Sequence, residues 1–98
     1  MRQIDPQSVW LNGVEYSAQY LQCTGTYDNF QSTATVYFQL FTMLVDVNGD
    51  ISPGQQVAGG YQYIQGQDYI DWGNVPAMSV NNWIYNWTAQ QINVTLIP

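Results

Sequence analysis

Turn-forming residues interrupt the chain about every ten to fifteen residues, and this spacing constrains the fold more than any other feature. The turn sites are Asn12-Gly13, residues 26–29, Asn48-Gly49, Pro53-Gly54, Gly59-Gly60, Gly66 and residues 72–74. Segments of this length are typical of short β-strands joined by tight turns. Because Asn and Gly tolerate positive φ, Asn12-Gly13 predicts a hairpin between the apolar segments on either side of it.

Residues 33–47 form the clearest predicted strand, because β-branched and aromatic side chains dominate this segment. In its first half Val36, Phe38 and Leu40 alternate with more polar residues, which predicts one apolar and one wet face. From residue 40 to residue 45 the alternation fails and both faces are apolar. We therefore expect this strand to be covered on both sides, or to be covered on one side by another molecule.

The neighbouring segments extend this strand pattern. Residues 18–24 are expected to form a strand, and Asn48-Gly49 is expected to turn the chain back along the sheet. Residues 33–65 then form a β-meander, with a further turn at Gly59-Gly60. Residues 93–97 are expected to form a terminal strand or an extended tail.

The last third of the chain changes from strand to helix periodicity. Val80, Trp83, Ile84 and Trp87 recur at the spacing of one helix face, and Ser79 is available as the N-cap. This pattern predicts a helix over about residues 79–91.

These elements define the expected fold class. The chain is predicted to be α+β and mainly β: an antiparallel β-sandwich or meander with one C-terminal helix, in one domain over residues 1–98. Hydrophobic residues make up 46% of the sequence, which is far too much for a disordered chain. A compact core is therefore expected.

Charged side chains are unusually scarce. Arg2 is the only basic residue against seven acidic ones, for a net charge of −6. Nucleic acid binding is excluded on this basis, because neutralising phosphates requires several Lys or Arg. No apolar run approaches the roughly 18 residues of a membrane-spanning helix, so no membrane partner is expected.

The residues that carry catalysis are also missing. The chain has no His and no Lys, so Cys23 and the serines lack a recognisable base. A zinc site would need more His or Cys ligands than the sequence contains. Cys23 lies in an apolar segment and is expected to be a buried, inert thiol. We expect a protein that is not an enzyme and that uses no cofactor.

One short motif resembles a calcium loop. Asp46, Asn48 and Asp50 supply oxygen atoms at positions 1, 3 and 5, as a calcium loop does. However, Ile51 and Val57 stand where such a loop has a glycine and a bidentate acid. A type I′ hairpin turn explains the same residues and is the favoured interpretation, although cation binding stays open.

A second constellation suggests a sugar site. Asp68 and Asp71 lie next to Tyr69 and Trp72, and paired carboxylates beside aromatic rings are found where proteins bind carbohydrate. The simpler interpretation is a surface turn after Gly66, with the rings in the core. The alternative function is a small carbohydrate-binding module that uses the residues Trp10, Tyr61, Tyr63 and Trp72 for stacking and Asp68 and Asp71 as hydrogen-bond acceptors.

Residues 66–72 and 83–92 resemble a known pattern. The first segment reads Gly-x-Asp-Tyr-x-x-Trp, and the second contains Tyr-x-Trp-x-Ala, with Ile92 where the pattern has Leu. Together they resemble the C-terminal part of small virion proteins of tailed bacteriophages, which are similarly short, rich in Gln, Asn and Tyr, and nearly devoid of Lys. The resemblance is confined to the C-terminal third, and it implies a structural role in a particle without implying any site residues.

The favoured hypothesis is therefore a non-enzymatic virion structural or assembly protein of a tailed phage, acting as a capsid decoration, neck or tail component. Its partners would be other virion proteins or copies of itself, in a homo-oligomeric assembly within the virion. The scarcity of charge and the two-sided apolar run motivate this hypothesis. The expected interface residues are Tyr37, Phe41, Met43, Tyr61, Tyr63 and Trp72.

Overall fold

In a computed structural model, which describes residues 1–28, 32–76 and 80–97, the chain forms one sheet and two helices. The elements are β1 (Arg2–Leu11), β2 (Val14–Asp28), β3 (Thr33–Val45), β4 (Ile51–Gln65), α1 (Gln67–Gly73) and α2 (Val80–Gln91). The strands lie in the order β1-β2-β3-β4, and each pairs antiparallel with its neighbour. The predicted α+β, mainly β class is confirmed. Of the two predicted arrangements, the described strands form the meander.

The first hairpin turn has the predicted geometry. Asn12 and Gly13 both have positive φ, at 53° and 79°, and Leu11 pairs with Val14 across them. Two consecutive residues with positive φ are the signature of a type I′ turn, which suits the twist of the flanking strands. This turn joins β1 to β2 without any extra residue.

The second hairpin turn lies at the predicted position, but the predicted type I′ geometry is wrong. Only Gly49 has positive φ there, at 84°, so the loop is longer than two residues. The backbone N–H of Gly49 donates to the Asp46 carbonyl at 3.0 Å, and the N–H of Asp46 donates to the Asp50 carbonyl at 3.0 Å. A type I turn followed by a left-handed glycine has this pattern.

The strands are longer than predicted, because several expected turns lie inside them. β2 and β4 each contain 15 residues. The prediction of a turn at Gly59-Gly60 is wrong, since these glycines lie within β4, opposite Gln39 and Phe38. A Cβ on Gly60 would approach the ring of Phe38 to 3.3 Å. The two glycines therefore make room for neighbouring groups and do not reverse the chain.

Two further expected turns also lie inside strands. Pro53-Gly54 belongs to β4, at a point where the register with β3 shifts. Residues 26–28 complete β2, whereas Asn29 lies outside the described residues. Register shifts of this kind allow a strand to bend without ending.

The predicted C-terminal helix is confirmed as α2, which begins at Val80 and ends at Gln91. The expected N-cap, Ser79, lies outside the described residues. The buried side of α2 is wider than the predicted stripe, because Tyr85, Thr88 and Ala89 are buried together with Trp87. The buried residues of α2 therefore lie within residues 85–89, and Val80, Trp83 and Ile84 of the predicted stripe are only partly buried.

The helix α1 was not predicted. Residues 67–73 were interpreted as part of a surface turn, but they form seven residues of helix after Gly66, where φ is 63°. No residue of α1 is fully buried, so it has no apolar stripe that a periodicity argument would detect.

The core lies between the helices and one face of the sheet. One cluster joins Ile4, Leu21 and Leu40 to Tyr85 and Ala89 of α2. A second cluster joins the residues Ala34, Val36, Ile64 and Trp87, with Trp72 packed against it. We call this side of the sheet the covered face. Burying its apolar side chains is the main source of stability for a chain of this size.

The C-terminal residues follow the expectation of an extended tail. Leu96 forms an isolated antiparallel bridge with Ile4, next to backbone hydrogen bonds from Asp5 N–H to the Thr95 carbonyl at 2.8 Å and from Ile97 N–H to the Gln3 carbonyl at 2.9 Å. The tail thus pairs with the beginning of β1. It covers part of one edge of the sheet.

Candidate functional site

The side of the sheet that faces away from the helices is not covered by any described element. Side chains alternate across a strand, so the residues between the core positions point to this side. We call it the open face, and the pairing register places on it Tyr20, Gln22, Thr24, Thr35, Tyr37, Gln39, Phe41, Gln56, Tyr61 and Tyr63. None of these residues is fully buried and none carries a charge.

The side chains of the open face contact one another in ordered pairs. The rings of Tyr37 and Tyr61, which are cross-strand partners, have centroids 5.1 Å apart and are tilted by 43°. Beside them, Gln39 Nε2 donates to Gln56 Oε1 at 2.8 Å, and Gln56 Nε2 reaches the Tyr37 hydroxyl at 3.5 Å. Cross-strand contacts restrict these side chains before any partner binds, which lowers the entropic cost of binding.

Among the described residues, the end of the β3–β4 hairpin is the most exposed apolar segment. Pairing of β2 with β3 extends only to Tyr20 opposite Phe41, so residues 42–45 pair with β4 alone. The following residues form what we call the apolar tip, with their exposed fractions: Leu44 at 57%, Val45 at 64%, Val47 at 100% and Ile51 at 48%. The structure does not cover this run on both sides. Covering of one side by another molecule therefore stays a prediction.

The structure brings together five of the six expected interface residues. Tyr37, Phe41 and Met43 alternate along β3 on the open side, and Tyr61 and Tyr63 lie beside them on β4. Tyr61 and Tyr63 are 55% and 58% exposed. Together with Gln39, which lies between Tyr37 and Phe41, these five residues form one strip.

Trp72 does not belong to this strip. It lies on α1, on the helical side of the sheet, and packs against the cluster that contains Val36 and Ile64. Its ring contacts Tyr69 edge to face, with the centroids 5.7 Å apart. Trp72 is one of the six residues predicted at the interface, but its surroundings are those of a residue at the margin of the core.

The open face also contains residues that the sequence reasoning missed. Tyr20 lies opposite Phe41, Gln22 opposite Gln39, and Thr24 opposite Tyr37. The alternation of these polar residues with Leu21 and Cys23 is visible in the sequence. The alternation does not show which strand these residues pair with. It therefore does not show which residues of the neighbouring strand lie beside them on the open face.

The residues of the alternative sugar site are not gathered in one place. Tyr61 and Tyr63 are on the open face, Trp72 is on the helical side, and Trp10 lies on β1, where it is 68% exposed. The two carboxylates already have partners. Asp68 Oδ2 accepts from the indole Nε1 of Trp87 at 3.1 Å, and Asp71 Oδ1 accepts from Nε2 of Gln67 at 2.9 Å. The first interaction joins α1 to α2, and the second lies within α1.

The calcium-like motif forms a side-chain cap for its own turn. Asp46 Oδ1 accepts backbone N–H groups from Asn48 at 2.8 Å and from Asp50 at 2.9 Å. An Asp that accepts hydrogen bonds from the next residues of its own turn is a common turn device. Within residues 1–28, 32–76 and 80–97, no three His, Cys, Asp or Glu residues cluster closely enough to hold a metal ion.

The single thiol lies at the boundary of the core. Cys23 is half-buried and free, and its backbone N–H donates to the hydroxyl of Tyr85 at 3.2 Å. Burial raises the pKa of the Cys23 thiol above its ordinary value, with an opposing contribution from the Thr88 hydroxyl. A raised pKa keeps the thiol protonated at neutral pH, where it is a poor nucleophile.

A hydrogen bond joins α1 to the end of β2. The Tyr69 hydroxyl donates to Asp28 Oδ1 at 2.7 Å. This hydrogen bond, together with burial and the carboxylate charge, raises the pKa of Tyr69. Burial likewise raises the pKa of Tyr85. These three groups lie on the helical side of the sheet.

In comparisons with known proteins, no family model, curated protein or solved structure matches this chain. Neither of the two described helices, α1 and α2, is long and apolar enough to cross a membrane.

Proposed function

We propose that this chain is a non-enzymatic structural protein that assembles through contacts of its open face with other polypeptides, as a component of a tailed-phage virion. The observation that carries the proposal is the open face itself. It is ordered, rich in tyrosine and free of charge, and the fold leaves it uncovered.

The composition of the open face favours a protein partner. Protein interfaces are enriched in aromatic residues and depleted of charged ones at their centres. Tyr20, Tyr37, Phe41, Tyr61 and Tyr63 fit this description, and none of the seven acidic residues of the chain is among the ten residues of the open face. The separation matters because an acidic chain can bring its uncharged face against a partner without burying an unpaired carboxylate.

The apolar tip supports the same conclusion. Its side chains project beyond the part of the sheet that the helices cover, and Val47 is fully exposed. Contiguous exposed apolar side chains favour a contact with another protein, because single proteins rarely leave such patches in water. The tip and the open face share the strands β3 and β4, so one partner can contact both.

The virion assignment is supported by the resemblance of the C-terminal segments to small phage virion proteins. In this fold, those segments contain α1 and α2, which pack on the covered face. These helices would therefore support the sheet from its covered side, while the open face makes the contacts. The proposal assigns contact to the sheet and support to the helices.

The experiment uses two isosteric substitutions. Gln39→Glu adds a charge at the centre of the open face, and Gln90→Glu adds the same charge at an exposed position of α2. Virions of the phage that encodes the chain are purified, and the chain is quantified by mass spectrometry. We expect Gln90→Glu to be incorporated like the wild type and Gln39→Glu to be lost, because a charge buried without a partner is costly. Equal incorporation of both variants, or absence of the wild-type chain from virions, would overturn the proposal.

A further inference from the structure

The two edges of the sheet differ in how they are protected. The C-terminal tail pairs with the start of β1 through Leu96 and its neighbours. No strand among the described residues pairs with the outer edge of β4. Exposed edge strands usually contain charged side chains, proline or a bulge. These features prevent pairing with other chains, because the free N–H and C=O groups of an edge can form hydrogen bonds with the strand of another molecule.

The protection of β4 is confined to its first half. Pro53 and the register shifts lie between residues 51 and 58, and they bend that part of the strand. From Gly59 to Gln65, each residue pairs with β3 in an unbroken register. All 15 residues of β4 are uncharged. The second half of β4 is therefore a regular edge without charge, proline or a register shift.

We infer that this edge pairs with the same edge of a second copy of the chain, antiparallel and about a two-fold axis at Gln62. Gln62 is the midpoint of the regular segment from Gly59 to Gln65. In this arrangement Tyr61 lies opposite the partner's Tyr63, and Gly60 lies opposite the partner's Ile64. The inference rests on the proposed assembly role, because Tyr61 and Tyr63 belong to the open face.

The distribution of charge allows a second copy to be the occupant. The net charge of −6 makes two copies repel each other wherever acidic residues would meet. Along β4, the nearest acidic residues are Asp50 before the strand and Asp68 after it. A seam limited to residues 59–65 excludes both of them. Identical strands can therefore pair there without opposing like charges.

Side-chain sizes are also complementary about this axis. Gly59 at one end of the segment meets the longer side chain of Gln65 at the other. On the open side, Tyr61 already contacts Tyr37, and the partner's Tyr63 extends that row of rings. Cross-strand aromatic pairs stabilise antiparallel sheets. Pairing joins two open faces into one surface.

Disulfide trapping tests the axis directly. Gln62→Cys is made in a Cys23→Ala background, which removes the only native thiol. At a two-fold axis the substituted position meets its own copy, with Cα atoms about 4.5–5.5 Å apart, which is within disulfide range. Tyr63→Cys in the same background is the matched control, because its own copy lies beyond about 7 Å and cannot be bridged.

Oxidation in a glutathione buffer, followed by intact mass measurement, should trap Gln62→Cys as a dimer at least about tenfold more efficiently than Tyr63→Cys. A mixture of the single variants Tyr61→Cys and Tyr63→Cys should give the mixed dimer, so the register is tested even if geometry disfavours the bond at position 62. Equal trapping of all variants, or no trapping of any, overturns the inference.

The outcomes also separate this inference from the proposed function. If none of the variants is trapped but Gln39→Glu is still lost from virions, the dimer is wrong and the assembly role stands. If trapping follows the predicted register but Gln39→Glu is incorporated normally, the dimer stands and the proposed role of the open face fails.

Discussion

The two faces of the sheet are built from the same strands, yet they differ in every property that decides what they contact. Val36 is 1% exposed beneath the helices, whereas Tyr61 and Tyr63, on the other side, are more than half exposed. The fully buried sheet residues of the covered face are aliphatic, whereas the open face combines rings with amides. The comparison teaches that a chain with large residues on both sides of a strand encodes two contacts, of which only one is internal.

The chemistry of each face suits its role. Aliphatic side chains gain the most from permanent removal from water, and they fill a core without leaving polar groups unpaired. Tyrosine and glutamine can be hydrated in the free chain and hydrogen-bonded in a complex. The open face can therefore exist in both states without a large penalty in either.

The largest expected difference between the faces concerns truncation of a side chain. Leu21 is fully buried on the covered face. We expect Leu21→Ala to lower the free energy of unfolding by about 3 kcal/mol, because it leaves a cavity. Tyr63→Ala, on the open face, should cost less than about 1 kcal/mol. Urea unfolding followed by tryptophan fluorescence measures both, and equal losses would contradict the division into two faces.

A matched pair of isosteric substitutions sharpens the comparison. Val36→Thr places a hydroxyl in the core and should lower the free energy of unfolding by about 2 kcal/mol, because the hydroxyl loses its water. Val47→Thr makes the same change at the fully exposed apolar tip, where the effect should stay within about 0.5 kcal/mol. A costly Val47→Thr would mean that the tip is packed within the monomer.

Two glycines within strands give a smaller contrast. A Cβ on Gly59 would lie 3.1 Å from the Phe38 carbonyl oxygen and 2.9 Å from Gln56 Nε2. Gly59→Ala should therefore destabilise the chain by about 1 kcal/mol. Gly25 has open space where its Cβ would point, so Gly25→Ala should be neutral or slightly stabilising. Thermal unfolding of the two variants tests this, and a reversed order would contradict the packing of β4.

The ionisable groups of the helical side predict a gradual loss of stability at alkaline pH. Burial raises the pKa of the Cys23 thiol above its usual 9.0, so the unfolded chain ionises first. Folding stability is complete below the usual pKa and falls as the pH rises through the raised value. The same sign holds for the raised pKa values of Tyr69 and Tyr85.

Urea midpoints measured between pH 7 and pH 10.5 would show this decline. Cys23→Ala should make the decline shallower from about pH 9, and Tyr69→Phe should do so from about pH 10. A urea midpoint that does not change with pH would contradict this prediction. A decline of the midpoint that neither substitution affects would show that Cys23 and Tyr69 do not cause it.

Local periodicity was sufficient for the elements with a clear pattern. The strand at residues 33–45 and the helix α2 are marked by runs of two-residue and 3.6-residue spacing, and both form where expected. The hairpin at Asn12-Gly13 could also be predicted, because a type I′ turn needs positive φ at both positions and Asn and Gly tolerate it. These features depend only on neighbours in the sequence.

The features that were missed depend on contacts between distant segments. Gly59 and Gly60 have the composition of a turn, but they serve close approach to residues of β3. The helix α1 has no buried residue, and its position depends on hydrogen bonds such as that from Trp87 to Asp68.

Membership of the open face depends on the same kind of information. Five of the expected interface residues share that face because β3 and β4 are in register, which no local pattern specifies. Trp72, the sixth predicted residue, lies on the helical side of the sheet.

The most direct test of the central claim is hydroxyl-radical labelling of Tyr61 and Tyr63 in the dilute free chain and in purified virions. Ile70, which is 56% exposed on α1, serves as the internal reference on the opposite side of the protein. If the open face contacts a partner, both tyrosines are labelled readily in the free chain and are protected in the virion, while labelling of Ile70 changes little. Equal labelling of Tyr61 and Tyr63 in the two states would show that the open face meets no partner, and would contradict the account.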